Sequence, residues 1–198
     1  MSRIYLARHG ETEWNALGRL QGHTDVPLNE VGRTQASELA TRLANEGIQG
    51  VTTSDLRRAR ETGAIIAEAL GVVDPLVDRE LRERRFGIFE GLTREECATQ
   101  HPAAWKAWVE QTDPPEGAEP VRDAITRMMR AIARASERAS TGPLLVVSHG
   151  GLMRLWLQDA LGTTLPLIKN GAVYLVETDT RREVSEPSSA LRVSRWGA

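Results

Sequence analysis

Arg3-Ile4-Tyr5-Leu6-Ala7-Arg8-His9-Gly10 opens the chain with an apolar run that breaks at a histidine and a glycine. Leu144-Leu145-Val146-Val147-Ser148-His149-Gly150 repeats the pattern near the other end. A short unbroken apolar run bounded in this way reads as a strand buried on both faces, as in a parallel sheet. Such sheets gather ligand-binding groups at the carboxyl ends of their strands, so both imidazoles belong at strand mouths. Ser54-Asp55-Leu56-Arg57-Arg58-Ala59 adds arginines at another strand-to-helix junction. Taken singly, each histidine or arginine fits an ordinary core or surface role. Together they suit a phosphoryl group.

Outward from these strands, strand and helix patterns alternate, as expected of one α/β domain over residues 1–198. Asn29 to Glu46 carries Ala36, Leu39, Ala40 and Leu43 on a helical stripe and stops at Gly47. Leu56, Ala59, Gly63, Ile66, Ala67 and Leu70 form a second stripe that stops at Gly71. Ile125, Met128, Met129, Ile132 and Ala135 give a third, with both methionines read as packing residues. Leu152, Leu155 and Trp156 give a fourth, after the tight turn that Gly150-Gly151 permits. Lys169-Asn170-Gly171 reads as a turn before a strand at Ala172 to Val176. Asp179 to Ser189 reads as a hairpin or loop, and Leu191 to Trp196 as a short edge strand. Between Gly91 and Val121 the repeat is interrupted. Thr93-Arg94-Glu95-Glu96 has the spacing of a capping box, Pro102 starts a short helix bearing Trp105 and Trp108, and Thr112 to Pro120 reads as a loop.

A length of 198 residues supports one substantial core. An apolar fraction of 40% with a formal net charge of −2 argues against membrane and strongly basic nucleic-acid proteins. No basic segment leads into an apolar signal core, and no stretch has transmembrane length. The expected location is therefore cytoplasmic, with neither membrane nor nucleic acid as partner. Cys97 is the single cysteine, which excludes an internal disulfide. The four histidines show no short-spaced ligand set, so no metal is expected. His23 reads as an exposed polar loop residue near the expected substrate entrance, and His101, before Pro102, as a helix boundary. Ser148 lacks the nucleophile-elbow spacing of a serine hydrolase.

Seven blocks in order carry a wider likeness: Leu6 to Thr12; Trp14-Asn15; Gly18-Arg19-Leu20-Gln21-Gly22; Pro27 to Gly32; Ser54 to Ala59; Leu81-Arg82-Glu83 with Phe86-Gly87 and Glu90-Gly91; and Val147 to Gly151. The chain resembles the histidine phosphatase superfamily, which includes cofactor-dependent phosphoglycerate mutases and many phosphomonoesterases. The resemblance implies a three-layer α/β/α single domain, phosphoglycerate mutase-like, with a short helical lid insertion at approximately residues 92–120.

The resemblance assigns His9 as the nucleophile that becomes phosphohistidine, a role open to a neutral imidazole whose second nitrogen holds a hydrogen bond. Arg8 and Arg58 correspond to arginines that bind phosphoryl oxygens, and His149 to the second histidine around the same group. Such fixed donors stabilise a transferring phosphoryl group without a metal or other cofactor. By spacing alone Arg57 competes with Arg58, and the motif selects the residue before Ala59. Asn15, Gln21 and Gly22 complete the implied substrate contacts, although Asn15 also fits a helix cap. Glu83 matches the family's proton donor, with Glu80 and Glu90 as chemical alternatives nearby.

The expected function is hydrolysis of a phosphorylated small molecule. Phosphoglycerate mutase activity and noncatalytic sensing of a phosphorylated metabolite are the alternatives. The insertion is compact and lacks an extended basic segment, which favours water as the acceptor. Arg84 and Arg85 either recognise a substrate carboxylate or form a solvated charge run. Trp105 and Trp108 pack in the core, wall the pocket or contact a second copy in a homodimer. Pro120 departs from the Gly-Gly-Glu-Ser pattern of relatives, which weakens the case for the usual local hydrogen bonds of Glu119.

Overall fold

The computed structural model describes residues 1–110, 112–178 and 191–197. The segment Asp179 to Ser189, read as a hairpin or loop, lies outside the described residues. Strand β1 (Ser2–Arg8) leads through helix α1 (Glu13–Ala16) to α2 (Glu30–Leu43), then β2 (Gly50–Thr53), α3 (Arg57–Leu70) and β3 (Leu76–Val77). Two 3₁₀ turns, Arg79–Leu81 and Gly87–Phe89, precede α4 (Arg94–Gln100) and α5 (Pro102–Glu110). Then come α6 (Val121–Arg138), β4 (Leu144–Ser148), α7 (Gly150–Leu161), β5 (Val173–Thr178) and β6 (Leu191–Arg195).

The six strands form one mixed sheet in the order β3-β2-β4-β1-β5-β6. The β3/β2, β2/β4 and β4/β1 pairs are parallel, and the β1/β5 and β5/β6 pairs are antiparallel. Alternation along β1 and β4 divides the core between two faces. Ile4, Leu6, Leu144 and Val146 pack with Met128, Ile132, Leu152 and Trp156 of α6 and α7. Tyr5, Ala7, Leu145 and Val147 pack on the opposite side with Leu39, Leu43, Ala59 and Ile66 of α2 and α3. The result is a three-layer α/β/α fold. Both central strands are buried on both faces, which accounts for their unbroken apolar sequence.

Sequence expectations meet the structure at several helix ends, although α2 stops at Leu43, short of the expected end at Gly47. Asn29 caps α2 by accepting from the Gly32 N–H at 2.8 Å, and Gly71 closes α3 at φ +68°. Thr93 and Glu96 form the expected capping box, and His101 ends α4. Two packing expectations are corrected. Met129 is 42% exposed because it faces away from the stripe containing buried Met128, and α7 buries Met153 and Leu157 where Leu155 stays partly exposed.

Candidate active site

Sheet register assembles the centre. Ala7 pairs with Val147 and Arg8 with Ser148 as the last two pairs between β1 and β4, so His9 and His149 leave neighbouring strands side by side. Their ring centroids lie 5.0 Å apart. On the other side of β4, Thr53 pairs with Val147, and the chain turns from β2 into α3 within four residues, bringing Arg58 to the same edge.

His9 is 3% exposed, and its Nδ1 lies 2.6 Å from the Gly10 carbonyl oxygen. Donation from Nδ1 leaves the Nε2 lone pair free. Burial, together with the Arg58 and Arg8 charges, holds the His9 pKa well below its ordinary 6.5. The imidazole is thus kept neutral and nucleophilic. His149 is fully buried, and its Nδ1 accepts from Arg58 Nε at 3.2 Å, which leaves the proton on Nε2. Among the described residues, that nitrogen has no hydrogen-bond partner. Burial lowers the His149 pKa well below 6.5, with Arg58 adding to the effect.

Arg58 is itself fully buried and held from three sides. Its Nη1 donates to the Thr24 carbonyl at 2.9 Å and its Nη2 to the Gly22 carbonyl at 2.8 Å, besides the bond to His149. Burial pulls its pKa down to about 10, which still leaves it cationic near neutrality. Arg57 instead points outward, with Nε donating to Glu61 at 2.6 Å. The ambiguity between neighbours is resolved because adjacent helical residues face different directions. Arg8 donates through Nη1 to the Ile168 carbonyl at 2.6 Å, and its buried Nε has no partner among the described residues. Burial lowers its pKa, opposed by Glu83 and Glu11.

Glu83 is 8% exposed, and its carboxylate lies against the first turn of α7, where unpaired backbone N–H groups suit it. Its Oε1 accepts from the N–H groups of Leu152 at 2.7 Å and Arg84 at 2.8 Å, and its Oε2 from Gly151 alone at 2.8 Å. Oε2 therefore keeps the greater free acceptor capacity. The close fit needs glycine: a Cβ on Gly150 would lie 2.9 Å from Arg8 Cδ, and one on Gly151 would lie 2.7 Å from Glu83 Oε1. Gly151→Ala is expected to improve helix propensity by about 1 kcal/mol while displacing the carboxyl group. An activity loss on the order of 10²-fold with unfolding temperature maintained is the expected result, checked by steady-state kinetics beside thermal unfolding.

The alternatives to Glu83 are already occupied. Glu80 accepts from Arg130 and Arg134 on the surface. Glu90 binds the N–H groups of His23, Thr24 and Phe86 and the Thr24 hydroxyl, bracing the loop that supports Arg58. Asn15 fills both roles open to it. Its Oδ1 belongs to the Thr12 capping box and accepts from Asn170 Nδ2 at 3.1 Å, leaving its own amide as a donor. Gly22 enters through its carbonyl, on Arg58, and Gln21 is 6% exposed, its Oε1 without a partner among the described residues.

Several expectations change. His23 is only partly exposed, because its Nε2 lies 2.8 Å from the Glu83 carbonyl oxygen. Arg84 is 8% exposed rather than solvated: it stacks on Trp108 at 4.0 Å and donates to the Glu119 carbonyl at 2.7 Å, while Arg85 is exposed. Trp105 and Trp108 pack edge-on against Phe89, in a cluster distinct from both main core faces. Glu119 does form strong local bonds despite Pro120, through a bidentate pair with Arg127. Ser148 donates to the Leu81 carbonyl at 2.9 Å, an anchor for the Glu83 segment. Asn170, read only as a turn residue, also donates to the His9 carbonyl at 3.1 Å. Among the described residues, no three His, Cys, Asp or Glu side chains are grouped to hold a metal ion, and no helix is long and apolar enough to cross a membrane.

The two lowered imidazole pKa values carry a pH prediction. Unfolded chains bind protons near 6.5 that folded His9 and His149 refuse, so stability is expected to fall as the pH drops through 6.5 and below. Thermal unfolding from about pH 8 to about pH 5 checks this, and His149→Ala is expected to flatten the dependence.

Comparison with known proteins follows the same lines. The sequence profile described as the histidine phosphatase superfamily (branch 1) matches residues 4–186. The chain is 41% identical over 157 residues to "Phosphoglycerate mutase-like protein 4" of Arabidopsis thaliana, covering 77% of this chain and 68% of that one. It is 34% identical over 181 residues to "Metal-independent phosphoserine phosphatase" of the same plant, covering 89% and 76%. Among solved structures, a mycobacterial glucosyl-3-phosphoglycerate phosphatase complexed with VO3 superimposes with a TM-score of 0.85 at 31% identity, covering 100% of both chains.

Proposed function

The chain belongs to branch 1 of the histidine phosphatase superfamily and is a small-molecule phosphomonoester hydrolase, and from that premise we propose how its residues divide the work. His9 Nε2 attacks phosphorus, the phosphorus–oxygen bond to the leaving group breaks, and Glu83 gives its proton to the departing alkoxide. Glu83 then takes a proton from water as that water attacks phospho-His9, releasing inorganic phosphate and restoring the imidazole. Arg8, Arg58, His149 Nε2–H and the Asn15 amide hold the phosphoryl oxygens, with donors fixed before substrate arrives. The Gln21-Gly22 loop borders the leaving group.

The observation that supports this reading most is the pinned, neutral His9 between buried Arg58 and partly buried Arg8. A nucleophile must be unprotonated, and a transferring phosphoryl group must meet positive charge. This centre meets both conditions. Residues 92–120 act as the lid, supported by Trp108 packing on Phe86 and Phe89, just beyond Glu83.

Product-resolved turnover tests the function. The panel comprises sugar phosphates, phosphoserine, nucleotide monophosphates and phosphoglycerates, the last with and without 2,3-bisphosphoglycerate. Free phosphate is expected to dominate, without the bisphosphate and in the presence of a chelator. Interconversion of 2- and 3-phosphoglycerate that depends on the bisphosphate and outruns phosphate release would make the protein a mutase. Chelator-sensitive turnover would break the metal-free scheme.

A further inference from the structure

Helix α6 carries Arg127, Arg130, Arg134 and Arg138, spaced so that they share one face. Arg130 and Arg134 remain about half exposed, pairing with Glu80 and Asp78. Arg127 differs: its side chain is 11% exposed. A guanidinium has five N–H donors in a planar fork, and all five are used here. Nε donates to Glu119 Oε1 at 2.6 Å, and Nη2 donates to Glu119 Oε2 at 2.8 Å and the Glu83 carbonyl at 3.0 Å. Nη1 donates to the carbonyls of Glu80 at 2.7 Å and Arg82 at 2.6 Å.

Three of the five acceptors thus belong to the short backbone stretch that presents Glu83. That stretch is a 3₁₀ turn followed by irregular chain, outside the sheet ladder. Glu119 lies at the end of the 92–120 segment, immediately before Pro120 and α6, and its carbonyl also accepts from Arg84 Nε. With every donor committed to protein, Arg127 has none for a phosphoryl oxygen. It acts on the backbone that carries the acid.

We propose that Arg127 is the positioning residue for Glu83, with Glu119 as its clamp, so that placement of the proton donor is coupled to the end of the helical insertion. The inference rests on the assignment of Glu83 as proton donor. Lysine offers a point charge and three donors on a flexible stem, and it cannot span three carbonyls and a carboxylate. Displacing Glu83 penalises substrates in proportion to their need for leaving-group protonation, whereas a general weakening of the fold affects all substrates alike.

The test measures, by rapid quench, the rate of phospho-His9 formation, together with KM, for an alkyl phosphate and for an aryl phosphate with a good leaving group, alongside thermal unfolding. Arg127→Lys is expected to slow phospho-His9 formation from the alkyl substrate by about 30- to 100-fold, with less than about 5-fold from the aryl substrate and little change in KM. Glu119→Gln leaves Arg127 on its carbonyls and guards against loss of the fold. It is expected to show the same selectivity at about 10-fold. Placed on Glu83→Gln, Arg127→Lys is expected to add no further alkyl-selective loss. Equal losses on both substrates, or an alkyl-selective loss that persists in the Glu83→Gln background, would overturn the inference. Failure of Glu83→Gln alone to separate the two substrates would remove the acid assignment itself, and the inference with it.

Discussion

His9→Ala is expected to eliminate the phosphoenzyme and nearly all turnover, lowering kcat on the order of 10⁴- to 10⁶-fold, as removal of other covalent nucleophiles does. The size of the effect follows from how little else at the centre can attack phosphorus. His149 Nδ1 is occupied by Arg58, and with the proton on Nε2 that nitrogen is a donor. Ser148 gives its hydroxyl hydrogen to the Leu81 carbonyl. Arg8, Arg58, His149 and Asn15 remain in the variant, so phosphate binding is expected to survive the loss of chemistry. Rapid quench of the wild-type protein with a labelled phosphomonoester should place phosphate on His9 before free phosphate appears. An undiminished burst in His9→Ala, with label on another residue, would sink the mechanism. Tight binding of substrate by the wild-type protein with no burst and no turnover would make it a sensor.

Glu83→Gln is expected to cost about 10²- to 10⁴-fold on an alkyl phosphate, the usual worth of general acid–base catalysis, with substrate binding largely retained. An aryl phosphate with a good leaving group needs little protonation and is expected to lose far less in formation of phospho-His9. Its overall turnover still falls if hydrolysis of the intermediate becomes limiting, because Glu83 also activates water. Burst kinetics separates the two steps. The amide keeps one acceptor for the Leu152 and Arg84 N–H groups, but its NH₂ would then face the Gly151 N–H now met by Oε2. That donor-to-donor contact costs on the order of 1–3 kcal/mol, so thermal unfolding belongs beside the kinetics. Selective alkyl impairment by Glu80→Gln, with Glu83→Gln affecting both substrates equally, would transfer the acid role to Glu80. Its two arginine partners on the surface argue against that outcome.

Local pattern alone determined much of the scaffold. The apolar runs before His9 and His149 specified strands buried on both faces, and the stripes and end signals at Asn29, Gly71, Thr93 and Pro102 marked helices. These features are legible because burial periodicity and caps depend on residues a few positions apart. The motif blocks also named His9, Arg8, Arg58, Glu83 and His149 as the candidate centre.

Tertiary structure alone decided how those groups stand toward one another. Parallel register brought His9 to His149, across more than a hundred residues of chain. Burial separated Arg58 from Arg57 and kept both histidines neutral, effects set by surroundings that no local pattern specifies. Arg127 was the least legible residue. In sequence it is one of several arginines on an amphipathic helix, and its partners lie at residues 80–83 and 119. Its distinct role arises because the fold removes that one guanidinium from water and surrounds it with acceptors, and a buried donor must satisfy its hydrogen bonds where it lies.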